Sequence, residues 1–509
     1  MHIARMLDVN RRFHPDRIAV EWPGGARTWG EVAERAAALA GGLARRGLVP
    51  GDRVGVVSGN LPEILEAYYA AAGSGLVVAP VTTRMAPAEL DAYYGGYLRP
   101  RAVLLGPDAA PCLGAWTEDC EVVVRLPGGP EGEDLDAVLD GPGAWRDDVD
   151  PDAPFTIGST SGTTGRPKGA VISQRNARAA IMAFVAENPI GPDDAYLIQH
   201  PMANVPGGPG QLFTLPEASR IVVVPRFEPE ACLATIERHR VTHAVLVPTM
   251  LHDLLSVPDR ERYDTSSLRN VVIGAAPVPA PLLEAGVAAF GEVFRPMFGM
   301  TESTAVACVI RPGDMYPVGA HPPERLLSVG KPSATVELRL LRDDGSEVVG
   351  PGEPGEIALR GEHVVDRYWG DVPENETGWR DGWFLTGDVG TYDDEGFVTL
   401  VDRKKDIIIS GGTNVASREV EDVLRTHPAV EDVAVVGVAD PRWGEAVTAV
   451  VVARAGAEVD SAALVAHARA RLGGPKVPKA VHFVDALPRN AMGKVTKGEL
   501  RARLAPSAG

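Results

Sequence analysis

At 509 residues the chain is longer than one hydrophobic core usually serves, so at least two domains are expected. Its 45% hydrophobic content is ordinary for a globular protein, and 56 glycines with 43 prolines fall short of a low-complexity composition. The formal net charge of −18 argues against nucleic acid or an anionic membrane as partner, since both demand basic surface. A nucleotide substrate then needs local positive charge or Mg²⁺. The N-terminus, Met1-His2-Ile3-Ala4-Arg5-Met6, lacks the apolar centre of a signal peptide. The most apolar window, near 67–81, contains Gly73, Ser74 and Gly75 and falls short of a membrane span. Cys112, Cys120, Cys232 and Cys308 show neither CxxC nor metal-ligand spacing, which reads as reduced thiols in a cytoplasmic protein.

In chain order, Trp29-Gly30-Glu31-Val32-Ala33 opens an Ala-rich helix that ends near Gly47. Residues 52–57 then read as a strand and 61–73 as a helix. That alternation predicts a mostly parallel sheet with helices on its faces. Short strands at 154–157 and 170–173 bracket a Gly-rich stretch, and the β/α pattern returns with strand 218–224, helix 229–240 and strands 242–247 and 268–274. From about Val336 the texture becomes turn-rich β structure, with strands at 336–340 and 355–360. The charged run Asp402-Arg403-Lys404-Lys405-Asp406 interrupts it, and an α+β segment follows: helix 419–427, strands 430–438 and 447–453, helix 461–472. The expected architecture is α/β. A large N-terminal domain, 1–401, carries mixed and parallel sheets flanked by helices plus a β-rich subdomain; a small α+β domain, 402–509, follows a boundary at Asp402.

The stretch between the two bracketing strands is Thr160-Ser161-Gly162-Thr163-Thr164-Gly165-Arg166-Pro167-Lys168-Gly169. Glycines let backbone N–H groups approach phosphate oxygens, the hydroxyls add donors, and Lys168 adds a mobile positive charge. This composition suits a polyphosphate. The spacing differs from GxxxxGK[ST], so it is not the usual P-loop, and the early strands lack the GxGxxG of a dinucleotide fold.

Five further segments follow in an order that, with this loop, resembles the adenylate-forming superfamily: acyl-CoA synthetases, adenylation domains of peptide synthetases and firefly-type luciferases. The resemblance spans nearly the whole length. It implies that Gly274-Ala275-Ala276-Pro277-Val278 is a small-residue turn along which adenine or an acyl chain slides. In Phe298-Gly299-Met300-Thr301-Glu302 it implies an aromatic stacked on adenine, a threonine on the α-phosphate and a glutamate that helps hold Mg²⁺. Phe298 replaces the commoner tyrosine, which preserves stacking and loses a hydroxyl. Asp388, in Trp383-Phe384-Leu385-Thr386-Gly387-Asp388, matches the ribose-binding aspartate; one carboxylate suits a vicinal diol because it accepts two donors. Arg403 matches a second ribose contact, and Asp402 the hinge of a mobile C-terminal domain. The loop Ser410-Gly411-Gly412-Thr413-Asn414-Val415 matches the one that enters the site for the second half-reaction. Lys494, in Pro488-Arg489-Asn490-Ala491-Met492-Gly493-Lys494, matches the lysine that bridges carboxylate and α-phosphate, where two anions must meet.

The implied activity is a two-step ligation with ATP and Mg²⁺: a carboxylic acid becomes an acyl-adenylate, then passes to a thiol, that of coenzyme A. Delivery to a carrier protein or to a non-thiol nucleophile is the alternative. A nucleotide-binding relic without catalysis conflicts with the occupation of every expected phosphate, ribose and lysine position. Trp443 resembles a residue that packs on CoA in aryl-CoA ligases, and a core tryptophan is an equal reading; Pro475 and Val477 stand where those ligases carry an aromatic and a basic residue. By the same match, Phe184, Asn204, Thr249, Gly274, Thr304 and Ala305 line the acid pocket. Asn204 stands where many relatives have histidine or an aromatic, either as a gate or only satisfying loop backbone. No lysine or arginine is among these six, which disfavours dicarboxylates and points to a small aromatic or medium acyl acid.

Overall fold

The structure is a computed structural model that describes residues 3–143, 145–146, 148–160, 168–203, 209–276, 278–317, 325, 327–457, 459–490 and 494–504. By packing, the chain divides into two compact units, one of residues 1–338 with 359–384 and one of 339–358 with 385–509. Three strands, Val336–Leu341, Gly355–Gly361 and Trp383–Tyr392, each carry the chain from one unit into the other.

In the first unit the β/α alternation produces two sheets. One has the order Glu133–Asp134, Val122–Arg125, Ala102–Leu105, Arg53–Val57, Val77–Val81, Pro154–Thr160, Lys168–Ser173. All its pairings are parallel except the last, where Pro154–Thr160 and Lys168–Ser173 form an antiparallel pair with Thr160 opposite Lys168. Val77–Val81 and Ala102–Leu105 are buried along their whole length, the continuous apolar pattern of strands covered on both faces. The helix Trp29–Arg45 begins where the sequence predicts. Thr28 Oγ1 accepts the Glu31 N–H and the Glu31 carboxylate accepts the Thr28 N–H at 2.8 Å, a reciprocal cap.

The second sheet runs Lys331–Pro332, Cys308–Val309, Phe294–Phe298, Asn270–Gly274, His243–Leu246, Ala195–Ile198, Arg220–Val223, Ile18–Trp22, Gly25–Thr28. Its six strands from Phe294–Phe298 through Ile18–Trp22 are parallel, so the chain leaves each of these at the same edge. Several elements escape the sequence reading, and three of them show why. The helix Ile3–Phe13 buries Ile3, Leu7 and Asn10, and the hairpin Ile18–Trp22/Gly25–Thr28 closes one edge of this sheet. The π-helix Asp91–Leu98 buries Tyr93, Tyr94 and Leu98, and its tyrosines mask the helical period.

In the second unit, Thr413–Val415, Ile408–Ser410, Gly444–Ala453 and Val430–Asp440 form a mostly antiparallel sheet to which Ala480–Phe483 adds a parallel edge. Helices Ser417–Arg425 and Ser461–Arg469 supply Val420, Leu424, Leu464 and Ala468 to the core beneath it. The α/β class and the α+β character of the C-terminal segment stand as expected. All four cysteines are unpaired. Burial pushes the Cys232 thiol up to about 12 and Cys120 up to about 11, so neither is a thiolate at neutral pH.

Candidate active site

The parallel strands of the nine-stranded sheet deliver the candidate residues to one edge. After Asn270–Gly274 come Ala275 and Ala276, both exposed; after Phe294–Phe298 comes the short 3₁₀ turn Thr301–Ser303. These two strands are neighbours, with Gly274 opposite Met297. A Cβ at Gly274 would stand 2.4 Å from the Met297 carbonyl oxygen, and one at Gly299 would stand 2.0 Å from that of Ala305. Only glycine lets these turns close. Ala275, Thr304 and Ala305 have φ of 65°, 48° and 81°, a left-handed conformation that costs side-chain-bearing residues about 1 kcal/mol or more each. Backbone strain is thus gathered at the carboxyl edge of the sheet, where open α/β folds place their ligands.

The stretch expected to bind phosphate splits across the described residues. Ser161, Gly162, Thr163, Thr164 and Gly165 lie outside them, as do Asn204 and Pro277. Thr160 closes the incoming strand with its hydroxyl buried and without a hydrogen-bond partner among the described residues. Lys168 opens the outgoing strand. Its ammonium lies 4.5 Å from the centroid of the Tyr368 ring and 3.3 Å from Glu374 Oε1. The Tyr368 hydroxyl in turn donates to Glu302 Oε1 at 2.7 Å. Glu302 is buried, and its backbone carbonyl accepts the Val365 N–H at 2.8 Å. The segment 365–369 therefore holds both a phosphate-binding candidate and the cation-binding candidate.

In the second unit the candidate residues are set by strand and turn pairing. Asp388 and Arg403 face each other across antiparallel strands, with Arg403 Nε 2.8 Å from Asp388 Oδ1. Thr386 Oγ1 accepts the Asp388 N–H and donates to the Ile357 carbonyl, which fixes the strand at this point. Gly411 and Gly412, at φ of 59° and 79°, make the turn between Ile408–Ser410 and Thr413–Val415. The Gly411 N–H donates to the Trp443 carbonyl at 2.7 Å, and a Cβ at Gly411 would press to 3.2 Å of the indole. Arg442 lies 4.8 Å and Lys479 4.9 Å from the Trp443 ring centroid. Lys494 exchanges backbone hydrogen bonds with Asn490: its N–H donates to the Asn490 side chain and its carbonyl accepts the Asn490 N–H, each at 2.9 Å.

A family profile described as AMP-binding enzyme matches residues 7–369, and one for the AMP-binding enzyme C-terminal domain matches 419–494. The chain belongs to the AMP-binding enzyme family. A feruloyl-CoA synthase of Amycolatopsis sp. is 38% identical over 97% of this chain and 97% of its own. An indoleacetate–CoA ligase of Aromatoleum aromaticum is 32% identical over 99% of this chain and 98% of its own. Among solved structures, an amide bond synthetase from Marinactinospora thermotolerans superposes with a TM-score of 0.88 at 31% identity, covering 99% of each chain. An O-succinylbenzoate coenzyme A synthetase from Bacillus subtilis, in complex with ATP and magnesium ion, gives a TM-score of 0.83 at 28% identity over 98% of each chain. This member of the family is an AMP-forming acid–thiol ligase, acyl-CoA synthetase-like, that works with ATP, Mg²⁺ and coenzyme A.

The residues fit that chemistry. Among the described residues no cluster of three or more His, Cys, Asp or Glu is poised for a metal ion. Mg²⁺ in nucleotide sites needs none, since one or two carboxylates with phosphates and water suffice, and Glu302 has a second carboxylate oxygen to offer. No helix among the described residues is long and apolar enough to cross a membrane.

Of the pocket candidates, Phe184 is buried and lies flat on Phe213, with ring centroids 4.0 Å apart and planes 8° apart. Thr249 is exposed at the start of the helix Pro248–Leu255. The Thr304 hydroxyl instead donates to the His363 carbonyl at 2.7 Å, where it serves the backbone. Tyr368, Glu374 and Phe213 went unnoticed in the sequence. Asp366-Arg367-Tyr368-Trp369 carries no periodicity or ligand spacing that would single it out.

Proposed function

We propose that the acid is an aryl-bearing monocarboxylate. The observation that carries this reading is that none of the six candidate lining positions is cationic, while one of them, Phe184, brings a buried aromatic stack with Phe213. A second carboxylate would have no partner there and would bear its full desolvation cost. Two relatives named for aromatic acids lend support.

The proposed chemistry assigns Thr160, Ser161, Gly162, Thr163, Thr164, Gly165 and Lys168 to the β- and γ-phosphates, and Glu302 to Mg²⁺, which neutralises phosphate charge when bound. Phe298 stacks on adenine, Gly274, Ala275 and Ala276 line its path, and Asp388 with Arg403 holds the ribose. The substrate carboxylate oxygen attacks the α-phosphorus, the bond to the bridging oxygen breaks, and pyrophosphate leaves. Thr301 and Lys494 balance charge on the transferring group, so catalysis is positioning and electrostatics without a protein nucleophile. Rotation about Asp402 then withdraws Lys494 and brings in Gly411 and Gly412, and the acceptor thiolate attacks the acyl carbonyl to expel AMP. The reaction belongs to the cytoplasm; four unpaired cysteines support that compartment.

Incubation with ATP, Mg²⁺ and a panel of acids, with and without CoA, followed by mass spectrometry, tests the assignment. Aryl acids are expected to give acyl-CoA faster than alkanoic or dicarboxylic acids. An acyl-adenylate that ignores CoA and yields amides with added amines would favour the non-thiol acceptor, a reading that the likeness to an amide bond synthetase keeps specific.

A further inference from the structure

Tyr368 stands between two groups that the ATP reading assigns to different tasks. Its ring supports the Lys168 ammonium and its hydroxyl bonds Glu302, while its own position is over-determined. The backbone bridges Ala170 in the strand that opens with Lys168, and the flanking residues pair with that strand: Trp369 N–H to the Gly169 carbonyl at 2.7 Å, Val171 N–H to the Arg367 carbonyl at 3.1 Å. Asn375 accepts the Tyr368 N–H at 2.7 Å and donates to the Gly370 carbonyl at 2.8 Å. That clasp places Glu374, the preceding residue, beside Lys168. Trp379 packs edge-on against the ring with centroids 5.5 Å apart, and Tyr368 is 4% exposed. Nothing in this arrangement is needed merely to fill the core. An apolar side chain would pack there without a buried hydroxyl aimed at a carboxylate.

We propose that Tyr368 is a positioning residue that couples the cation-binding carboxylate to the phosphate-binding lysine, and that Glu374 is a stand-in anion which the nucleotide phosphates displace from Lys168. The proposal rests on the ATP-site roles assigned above to Lys168 and Glu302. Its physical content is that one side chain orients both charges. The hydroxyl holds Glu302 in one rotamer, as outer hydrogen-bond partners do for metal-binding groups. The ring face lowers the cost of keeping an ammonium where it is only 13% exposed, and Glu374 neutralises it while no phosphate is bound. Incoming phosphate oxygens exchange one anion for another, so Lys168 need not shed its partners into water.

The test is direct binding of ATP to the full-length protein, titrated with Mg²⁺, together with acid-dependent ATP–pyrophosphate exchange. Tyr368→Phe keeps the ring and removes the hydroxyl. It is expected to raise the Mg²⁺ concentration for half-maximal binding about tenfold, as loss of such a partner does elsewhere, and to leave Mg²⁺-free binding unchanged. Tyr368→Leu removes both contacts and is expected to weaken binding with and without Mg²⁺. Glu374→Gln has the opposite sign: it removes the competing anion and is expected to tighten ATP binding about threefold, the scale of a partly exposed ion pair. A purely structural role for these residues would weaken binding in all three variants alike, and that result overturns the proposal, as does a Tyr368→Phe protein with wild-type Mg²⁺ dependence. If the wild-type protein binds no ATP, the ATP-site reading itself fails, an outcome distinct from either.

Discussion

The two units hold their candidate residues in different ways. In the second unit, Asp388 and Arg403 meet because adjacent strands put them in register, and Gly411 meets Trp443 at the end of one sheet. In the first, Lys168 and Glu302 are held by Tyr368 and Glu374, residues from a separate stretch of chain. Register pairs are local and tolerate change around them; a hub shared by two charges couples them. The difference predicts that substitutions in the second unit act on one step at a time, whereas those around Tyr368 alter metal and nucleotide binding together.

Lys494→Ala is expected to have the largest effect. Pyrophosphate exchange should fall about 10²–10³-fold, the usual scale for one positioned charge, while transfer from a supplied acyl-adenylate to CoA persists. Equal loss of both steps would remove Lys494 from the adenylation half-reaction. Phe184→Ala deletes one half of a buried stack and should cost about 3 kcal/mol or more of stability, read as a lower denaturant midpoint. The residual folded enzyme should lose its preference for aryl acids; an unchanged acid profile would move the acid pocket elsewhere.

Asp388→Asn leaves one acceptor where a carboxylate held two. ATP binding should weaken about tenfold, and the difference between ATP and 2′-deoxy-ATP should largely vanish. A preserved difference would assign the ribose to another residue. Gly411→Ala is smaller still. At φ of 59° and with the indole at 3.2 Å, a methyl group costs about 1 kcal/mol locally, so CoA transfer should slow a few-fold with adenylation intact.

The smallest effect concerns acid. Burial holds the His363 imidazole below its ordinary value of 6.5, while Nε2 donates to the Val306 carbonyl at 2.9 Å. Below that ordinary value the unfolded chain binds the proton and the folded chain resists it. Stability is therefore full above about pH 6.5 and declines as pH falls toward the folded-state value. His363→Gln should shrink the drop in Tm between pH 7.5 and pH 5; an unchanged drop would leave the buried His243, depressed in the same sense by desolvation, as its source.

Much of this was legible in the sequence. The strands around 160–169, the helix after Thr28 and the α+β segment beyond Asp406 follow from periodicity, caps and turn residues that act over a few positions. The Asp388–Arg403 pair was visible as two motif residues. The π-helix Asp91–Leu98 was not, because three tyrosines and two glycines in eight residues give neither a clean helical nor a strand period.

By itself the sequence determined the α/β class, the order of the candidate phosphate, ribose and lysine segments, and hence the family, because hydrophobic period and backbone chemistry are short-range properties. Only the tertiary structure decided that Lys168 and Glu302 share Tyr368, that Glu374 neutralises the lysine, that Phe184 stacks on Phe213, and that Thr304 turns its hydroxyl to a backbone carbonyl. The Tyr368 and Glu374 contacts form where the chain returns along the strand Lys168–Ser173, and the Phe184 stack where the helix Gln174–Glu187 meets residues 209–217. No local pattern encodes which distant side chain will be waiting there.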